Sequence, residues 1–303
     1  MSVLVVGSLS MDLVVAMTKF PDSGQTVVAR DLQTIPGGKG LNQAIAASQV
    51  GARVSMLGCV GSDDYSKHLE EILSKFYIDT TNLQKVEGSS GVALIEVENS
   101  GSNRIAIVPG ANEKFDYHAI EADYFSRFRH SVVLGPLENP IMHLEKSFIS
   151  AKKAGATTIL NPAPSQLLSS DFLGAIDILI PNQNEAEELS GVSIANKEDA
   201  ENAARRLLAL GPKIVIITLG EKGALLVSNQ EKYFQEAFKV KVIDTTAAGD
   251  TFCGAFAAEI DRAQEPKLAL RLASAAAALS TTKYGASHSI PGRSEINDFL
   301  KTH

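Results

Sequence analysis

The segment Asp244-Thr-Thr-Ala-Ala-Gly249-Asp250-Thr-Phe leads from a small-residue turn into Cys253-Gly-Ala-Phe-Ala-Ala, a helix-forming stretch. A carboxylate placed just behind such a turn suits phosphoryl transfer. The N–H groups of Ala247, Ala248 and Gly249 at a helix N-terminus can form an anion hole. Asp250 can then orient and deprotonate an attacking hydroxyl. The same residues have a structural use, in which Asp250 only caps the helix.

Three further segments carry chemistry of the same kind. Gly37-Gly38-Lys39-Gly40 precedes Leu41-Asn42-Gln43-Ala44. Paired glycines let backbone approach a ligand closely at the start of a helix, or simply make a tight turn. Asn182-Gln-Asn-Glu185 follows the apolar run 178–181. There Glu185 can hold Mg²⁺ through water, or supply charge to a helix start. Thr218-Leu-Gly220-Glu-Lys-Gly223 is a glycine turn after another apolar run, of the kind that can lie under a nucleotide. The chain has no GxxxxGK[ST], no GxGxxG after a strand, no GxSxG and no HExxH. A P-loop NTPase, a dinucleotide oxidoreductase, a serine hydrolase and a zincin are thereby disfavoured.

These segments must be held by strands and helices. Short apolar runs predict strands buried on both faces at 3–6, 54–59, 132–134, 157–160, 178–181, 214–219 and 224–227. Helical periodicity predicts helices at 40–50, 141–154, 193–210, 250–261, 266–280 and 293–301. Strand and helix alternate from about residue 132 onward, the pattern of a parallel sheet covered by helices on both faces. Two stretches break it. One holds β-like pieces at 13–17 and 26–29. The other reads as a hairpin, 92–97 and 104–108 about the polar tip 98–103. Four short strands without helices predict a small sheet standing off the body as a lid.

The 303 residues are 45% hydrophobic and 21% charged, ordinary for a globular chain, with a formal charge of −7. That balance argues against nucleic acid held by phosphate contacts. Cys59 and Cys253 are expected as buried, reduced thiols, and no zinc spacing occurs. The start Met1–Gly7 is too short for a signal peptide, and no apolar run reaches membrane-helix length. A cytoplasmic protein with no membrane partner is expected.

Nine segments, in chain order, resemble the ribokinase-like (PfkB-type) carbohydrate kinase family: GSLSMD at 7–12, PGGKGLNQA at 36–44, SSGVALI at 89–95, PGAN at 109–112, LNPAP at 160–164, PNQNEAEEL at 181–189, TLGEKG at 218–223, DTTAAGDTF at 244–252 and TKYGASHSIP at 282–291. The resemblance implies a three-layer α/β/α fold with a mostly parallel central sheet. The nucleotide- and sugar-binding core would take 1–11, 41–88 and 113–303, and the β lid 12–40 and 89–112. It implies transfer of the γ-phosphoryl of ATP to a sugar hydroxyl, with Mg²⁺. Asp250 matches the catalytic base, and Ala247, Ala248 and Gly249 match the anion hole. Ser10, Asp12, Gly38, Lys39, Asn42 and Glu138 match the sugar-contact positions. Asn182, Thr218, Gly220, Gly223, Gly249 and Ser274 match the ATP side, with Glu185 the Mg²⁺ position. A monovalent cation, K⁺, is implied at Asp244, Thr246, Ser280, Lys283, Gly285 and Ser289, mostly through main-chain carbonyls. A homodimer formed through the lid is implied as well.

The chain departs from the family at two places. Ser10 stands where the family has Asn, which shortens a polar arm near the sugar and makes 2-deoxyribose a more plausible substrate. Ala247 replaces the first Gly of the family's GAGD. No aromatic residue lies within 21–64 or 89–112, which disfavours a nucleoside. The basic residues of the lid region are Lys19, Arg30, Lys39 and Arg104, thin provision for a second phosphate. A free pentose is expected, ribose first, phosphorylated at its terminal hydroxyl. The rival of a different class is a sugar- or nucleotide-binding protein that kept the fold and lost catalysis.

Overall fold

A computed structural model describes residues 2–100, 102–120, 123–128 and 130–303. Gly101, in the hairpin tip read from the sequence, lies outside them.

The body is an eight-stranded sheet. Its strands are β1 (Val3–Val6), β4 (Val54–Leu57), β9 (Val132–Gly135), β10 (Thr157–Leu160), β11 (Ile178–Leu179), β12 (Ile214–Thr218), β13 (Ala224–Ser228) and β14 (Lys232–Gln235). The order is β14-β13-β12-β11-β10-β9-β1-β4. The pairs from β4 to β12 are parallel, while β12–β13 and β13–β14 are antiparallel. Alternate side chains of each strand enter opposite cores. Val3 and Val5 join one cluster with Ile159, Ile216 and Leu226, while Leu4 and Val6 join the other with Leu160, Val215 and Ile217. Helices α1 (Lys39–Gln49), α2 (Asp64–Lys75), α8 (Ala248–Ala263), α9 (Pro266–Ser280) and α10 (Arg293–Thr302) cover the first face. Helices α4 (Ile141–Lys153), α5 (Ser170–Gly174), α6 (Gln183–Ser190) and α7 (Lys197–Leu208) cover the second, beside α3 (Tyr124–Phe128). The expected α/β/α layering is therefore present.

The second sheet has the order β3-β2-β7-β8, formed by β2 (Ser10–Met17), β3 (Asp31–Gly37), β7 (Gly91–Glu98) and β8 (Asn103–Val108). A two-stranded pair, β5 (Cys59–Val60) and β6 (Gln84–Lys85), lies apart. The expected strand at 26–29 is absent, and 31–37 takes its place. Only there do the residues find a partner: Asp31–Gly37 pairs antiparallel with Ser10–Ala16, and Arg30 N–H donates to Ala16 O at 2.7 Å just before it. The small sheet thus begins at Ser10, within the motif that leaves β1. Asn112 fixes that exit, since its amide exchanges two hydrogen bonds with the backbone of Leu9, at 3.0 and 2.8 Å.

Candidate active site

Parallel strands leave their ligand-facing residues at their C-terminal ends. Here β1 leads to Ser8, β9 to Glu138, β10 to Asn161, β11 to Asn182, and β12 ends on Thr218. At this edge lies a cavity of about 250 Å³ bordered by Lys39, Asn161, Asn182, Glu185, Thr218 and the turn Thr245–Asp250. A larger cavity, about 360 Å³, lies between the lid and α2 and is bordered by none of the expected site residues.

Asp250 sits in the first turn of α8 and is only 6% exposed. Helix α8 is pressed against α1, so closely that a Cβ on Gly254 would come within 2.3 Å of Gln43 O. That contact brings two amides to the carboxylate. Asn42 Nδ2 donates to Oδ2 at 3.1 Å, and Gln43 Nε2 donates to Oδ1 at 3.2 Å. Burial pushes the Asp250 carboxyl up, and the Lys39 ammonium pulls it back. The same pairing raises Lys39, chiefly through the charge of Asp250. The capping reading of Asp250 does not describe this geometry, because Ala247 is the N-cap and makes no side-chain cap bond.

The turn before α8 is unusual. Ala247 has φ 58° and ψ 13°, in the left-handed region that favours glycine. This is the position where the family resemblance has Gly. Of the three expected hole donors, Ala248 N–H donates to Thr245 O at 3.2 Å, so one is engaged within the turn itself. Helix geometry leaves the first-turn N–H groups facing out of the helix end.

Lys39 opens α1 directly after Gly38, whose φ of 93° requires glycine. Its backbone N–H donates to Glu138 Oε2 at 2.9 Å, and the Ser8 hydroxyl donates to the same oxygen. Asp12 points from β2 toward this end. A Cβ on Gly37 would lie 2.2 Å from its Oδ2, so Gly37 makes room for the carboxylate. Burial raises Asp12 to about 6, against the lowering effect of the Ser10 hydroxyl, which donates to Oδ1 at 3.1 Å. Glu138 and Asp250 add to the rise.

On the opposite side, Asn182 and Glu185 form a capping box on α6. Asn182 Oδ1 accepts from Glu185 N–H at 2.9 Å, and Asn182 N–H donates to Glu185 Oε2 at 2.8 Å. Glu185 Oε1 accepts from Asn182 Nδ2 at 2.7 Å. Both readings of this motif therefore coexist, for Glu185 caps a helix and still borders the cavity. Among the described residues, no group of three or more His, Cys, Asp or Glu is placed to hold a metal ion. A single carboxylate with both oxygens engaged suits a divalent cation held mainly by phosphate and water. Thr218 bridges to Asn182 through Pro181 O at 3.0 Å. Gly220 and Gly223 follow with φ 58° and 115°, and Gly223 is also forced by Gln235 O, 2.1 Å from its would-be Cβ. Ser274 lies on α9, away from the cavity lining, with its hydroxyl buried and unpartnered.

The expected cation loops meet through Asp244. Its Oδ1 accepts from Thr246 N–H at 2.9 Å and Thr246 Oγ1 at 2.7 Å, and its Oδ2 accepts from Gly285 N–H at 3.0 Å. Ser280 and Ser289 donate to Ala277 O and Ala286 O, both at 2.8 Å. The Lys283 ammonium is turned to Glu295 at 2.8 Å, which leaves only its backbone for such a site. A loop pair rich in neutral oxygens and stapled by one carboxylate suits a weakly hydrated monovalent cation in its chemistry.

Sequence reasoning missed Ser8, Gln43, Asn161, Thr245 and Cys253 as members of this site. All five lie inside or directly beside segments quoted for the resemblance, which is the signal that was available. Cys59 and Cys253 are free, buried thiols, as expected. No described helix is long and apolar enough to cross a membrane.

The model of the pfkB family carbohydrate kinases matches residues 1–293. A ribokinase of Haemophilus influenzae is 38% identical over 298 residues, 98% of this chain and 97% of that one. A deoxyribokinase of Salmonella typhi is 33% identical over 302 residues, 99% of each. The solved structure of an Arabidopsis thaliana ribokinase complexed with ribose and ATP superposes with a TM-score of 0.94 at 32% identity, covering 99% of this chain and 98% of that one.

Proposed function

The chain belongs to the pfkB family of carbohydrate kinases, and from that premise we propose that it transfers the γ-phosphoryl group of ATP to the terminal (5-) hydroxyl of D-ribose, giving ribose 5-phosphate. The observation that carries this reading is Asp250, a buried carboxylate gripped by two amides at the mouth of a helix N-terminus. Asp250 takes the proton of the sugar hydroxyl as its oxygen attacks the γ-phosphorus. The bond to the β,γ-bridging oxygen breaks, and ADP leaves with that electron pair. Backbone N–H groups at Ala247 and Gly249 receive the charge on the transferred group, Ala248 joins them only by releasing Thr245 O, and Lys39 adds a cation beside them.

Asp12, Gly38, Lys39, Asn42 and Glu138 hold the sugar, with Asp12 accepting from its hydroxyls through charge-assisted bonds. Asn182 and Thr218 serve the nucleotide at the cavity, with Gly220 and Gly223 in the turn beyond them, and Ser274 is proposed further along the nucleotide wall on α9, outside the cavity lining. Mg²⁺ would supply charge neutralisation at the β- and γ-phosphates, held by Glu185 through water. K⁺ would lie against the carbonyls of Asp244, Thr246, Ser280, Lys283, Gly285 and Ser289 and steady the turn before α8. The lid covers the sugar and excludes water, which would otherwise accept the phosphoryl group.

Ser10 favours a second reading, 2-deoxyribose, because its hydroxyl is already committed to Asp12. A homodimer through the lid is supported by one face of the small sheet. Ile35, Ala93 and Ile107 share that face with Asp12 by register, and Ile107 is 65% exposed. Light scattering at micromolar concentration tests it, and a monomer rejects it. A substrate supplied as ATP fits a cytoplasmic location.

The deciding assay is ADP release with MgATP and K⁺ against ribose, 2-deoxyribose, fructose, fructose 6-phosphate and adenosine. Ribose is expected to lead, with turnover falling when Na⁺ replaces K⁺. A lead for 2-deoxyribose would move the assignment to the second reading. Silence on all five would favour the non-catalytic rival.

A further inference from the structure

Gln43 lies one residue beyond the sugar-contact position Asn42, yet its side chain reaches a different partner set. It is fully buried. Its Nε2 donates both to Asp250 Oδ1 and to Asn161 Oδ1, each at 3.2 Å. Asn161 Nδ2 in turn donates to Ile180 O at 2.9 Å. A backbone carbonyl can only accept, so Ile180 fixes which end of the Asn161 amide faces it. The oxygen of Asn161 must then face Gln43, and only the NH₂ of Gln43 can satisfy it. The Gln43 oxygen is left buried without a partner, a cost borne to keep the NH₂ on Asp250.

We propose that Gln43 and Asn161 are positioning residues: a one-way relay from the end of β11 that holds a donor on Asp250 Oδ1 and thereby keeps the catalytic carboxylate charged and aimed. The relay works against protonation of Asp250. A protonated Asp250 would need an acceptor, and Gln43 could offer one only by turning over, which would break its bond to Asn161. The groups facing Asp250 from the surrounding elements are Lys39 and Asn42 on α1, Glu138 after β9, Glu185 on α6, Asp12 on β2 and Cys253 on α8. Of these, Lys39 and Asn42 favour the charged form, while Glu138 opposes it. Removing Gln43 therefore leaves burial less opposed, and Asp250 shifts further upward.

This inference rests on Asp250 being the general base, and the experiment separates the two. Gln43→Leu and Asn161→Ala are compared with wild type and with Asp250→Asn across pH, using MgATP and the sugar that gave activity. Gln43→Leu should lower kcat about tenfold or more, with its acid limb moved to higher pH. The KM values for sugar and ATP should change little. Asn161→Ala should move the limb the same way by less, since it frees the Gln43 amide to turn over without removing it. Gln43→Glu keeps the volume and guards against a folding artefact. It places a second acid against Asp250 and should move the limb at least as far. If folded Gln43→Leu and Gln43→Glu keep the wild-type limb while Asp250→Asn is inactive, the relay is wrong and the base assignment stands. If Asp250→Asn turns over normally, both are wrong.

Discussion

Asp250 and Asp12, the two carboxylates proposed to meet one sugar, lie on a core helix and on a lid strand, and they are held in opposite ways. Asp250 sits on α8, a helix of 16 residues packed between α1 and α9, and each of its oxygens accepts from a buried amide. Asp12 sits on β2 of the small sheet, where β8 is exposed at every residue. The hydrogen bond holding its side chain comes from Ser10, two residues away on the same strand. On the proposed roles, the reacting group is fixed by the core, whereas the recognising group belongs to the small sheet. Chemistry needs a base whose position does not depend on substrate; recognition needs a group that can close on it.

The largest effect should come from breaking the core half of this comparison. Asp250→Asn keeps the shape and loses the base. It should cut kcat by at least about 10²-fold, with ATP binding by calorimetry nearly unchanged. Turnover close to wild type would show that the carboxylate only braces α1 against α8.

The lid half should respond in KM rather than in kcat. Asp12→Asn should raise the KM for sugar by about 10- to 100-fold, the worth of a charge-assisted hydrogen bond, and leave the KM for ATP alone. The same group gives a pH dependence. Burial holds Asp12 at about 6, so it is charged above that pH and neutral below it. The sugar KM should stay level above pH 6 and climb as the pH falls through it. Asp12→Asn should remove that climb. A KM that rises equally for sugar and ATP in the variant would mean a disturbed fold and no role in recognition.

The core half was also the more legible in sequence. Strands 3–6 and 157–160 and the helix 266–280 lie where their apolar patterns put them, because a strand buried on both faces has no alternative reading at that length. The lid misled. Thr26–Ala29 has β-branched residues but no partner strand, while Asp31–Gly37 carries no buried alternation, since its first four residues are all exposed, and is fixed only by pairing with β2. Helix α2 was missed although Asp63 caps it by accepting from Ser66 N–H at 3.0 Å, since the helix buries a narrow stripe of Ser66, Leu69 and Leu73. Within the site, motifs gave positions but not contacts. Gln43 and Asp250 stand 207 residues apart, and only the α1–α8 packing joins them.

The smallest expected effect tests how the core holds its turn. Ala247 keeps a left-handed backbone without being glycine. That conformation costs an alanine about 1 kcal/mol, whereas a glycine there costs about 0.5–1 kcal/mol more entropy on folding. The two nearly cancel, so Ala247→Gly should move Tm by no more than about 2 °C. It should leave kcat within about twofold, because the hole is made of backbone N–H groups that glycine also carries. Ala247→Val tests the same point from the other side. A β-branched residue has almost no left-handed freedom, so this variant should lose about 1–2 kcal/mol and lose kcat as the turn is pulled out of shape. A valine variant as stable as the parent would mean that the turn relaxes away from positive φ in solution. The base would then be held by its two amides alone, and the contrast between a fixed core and a closing lid would rest on α1 rather than on the start of α8.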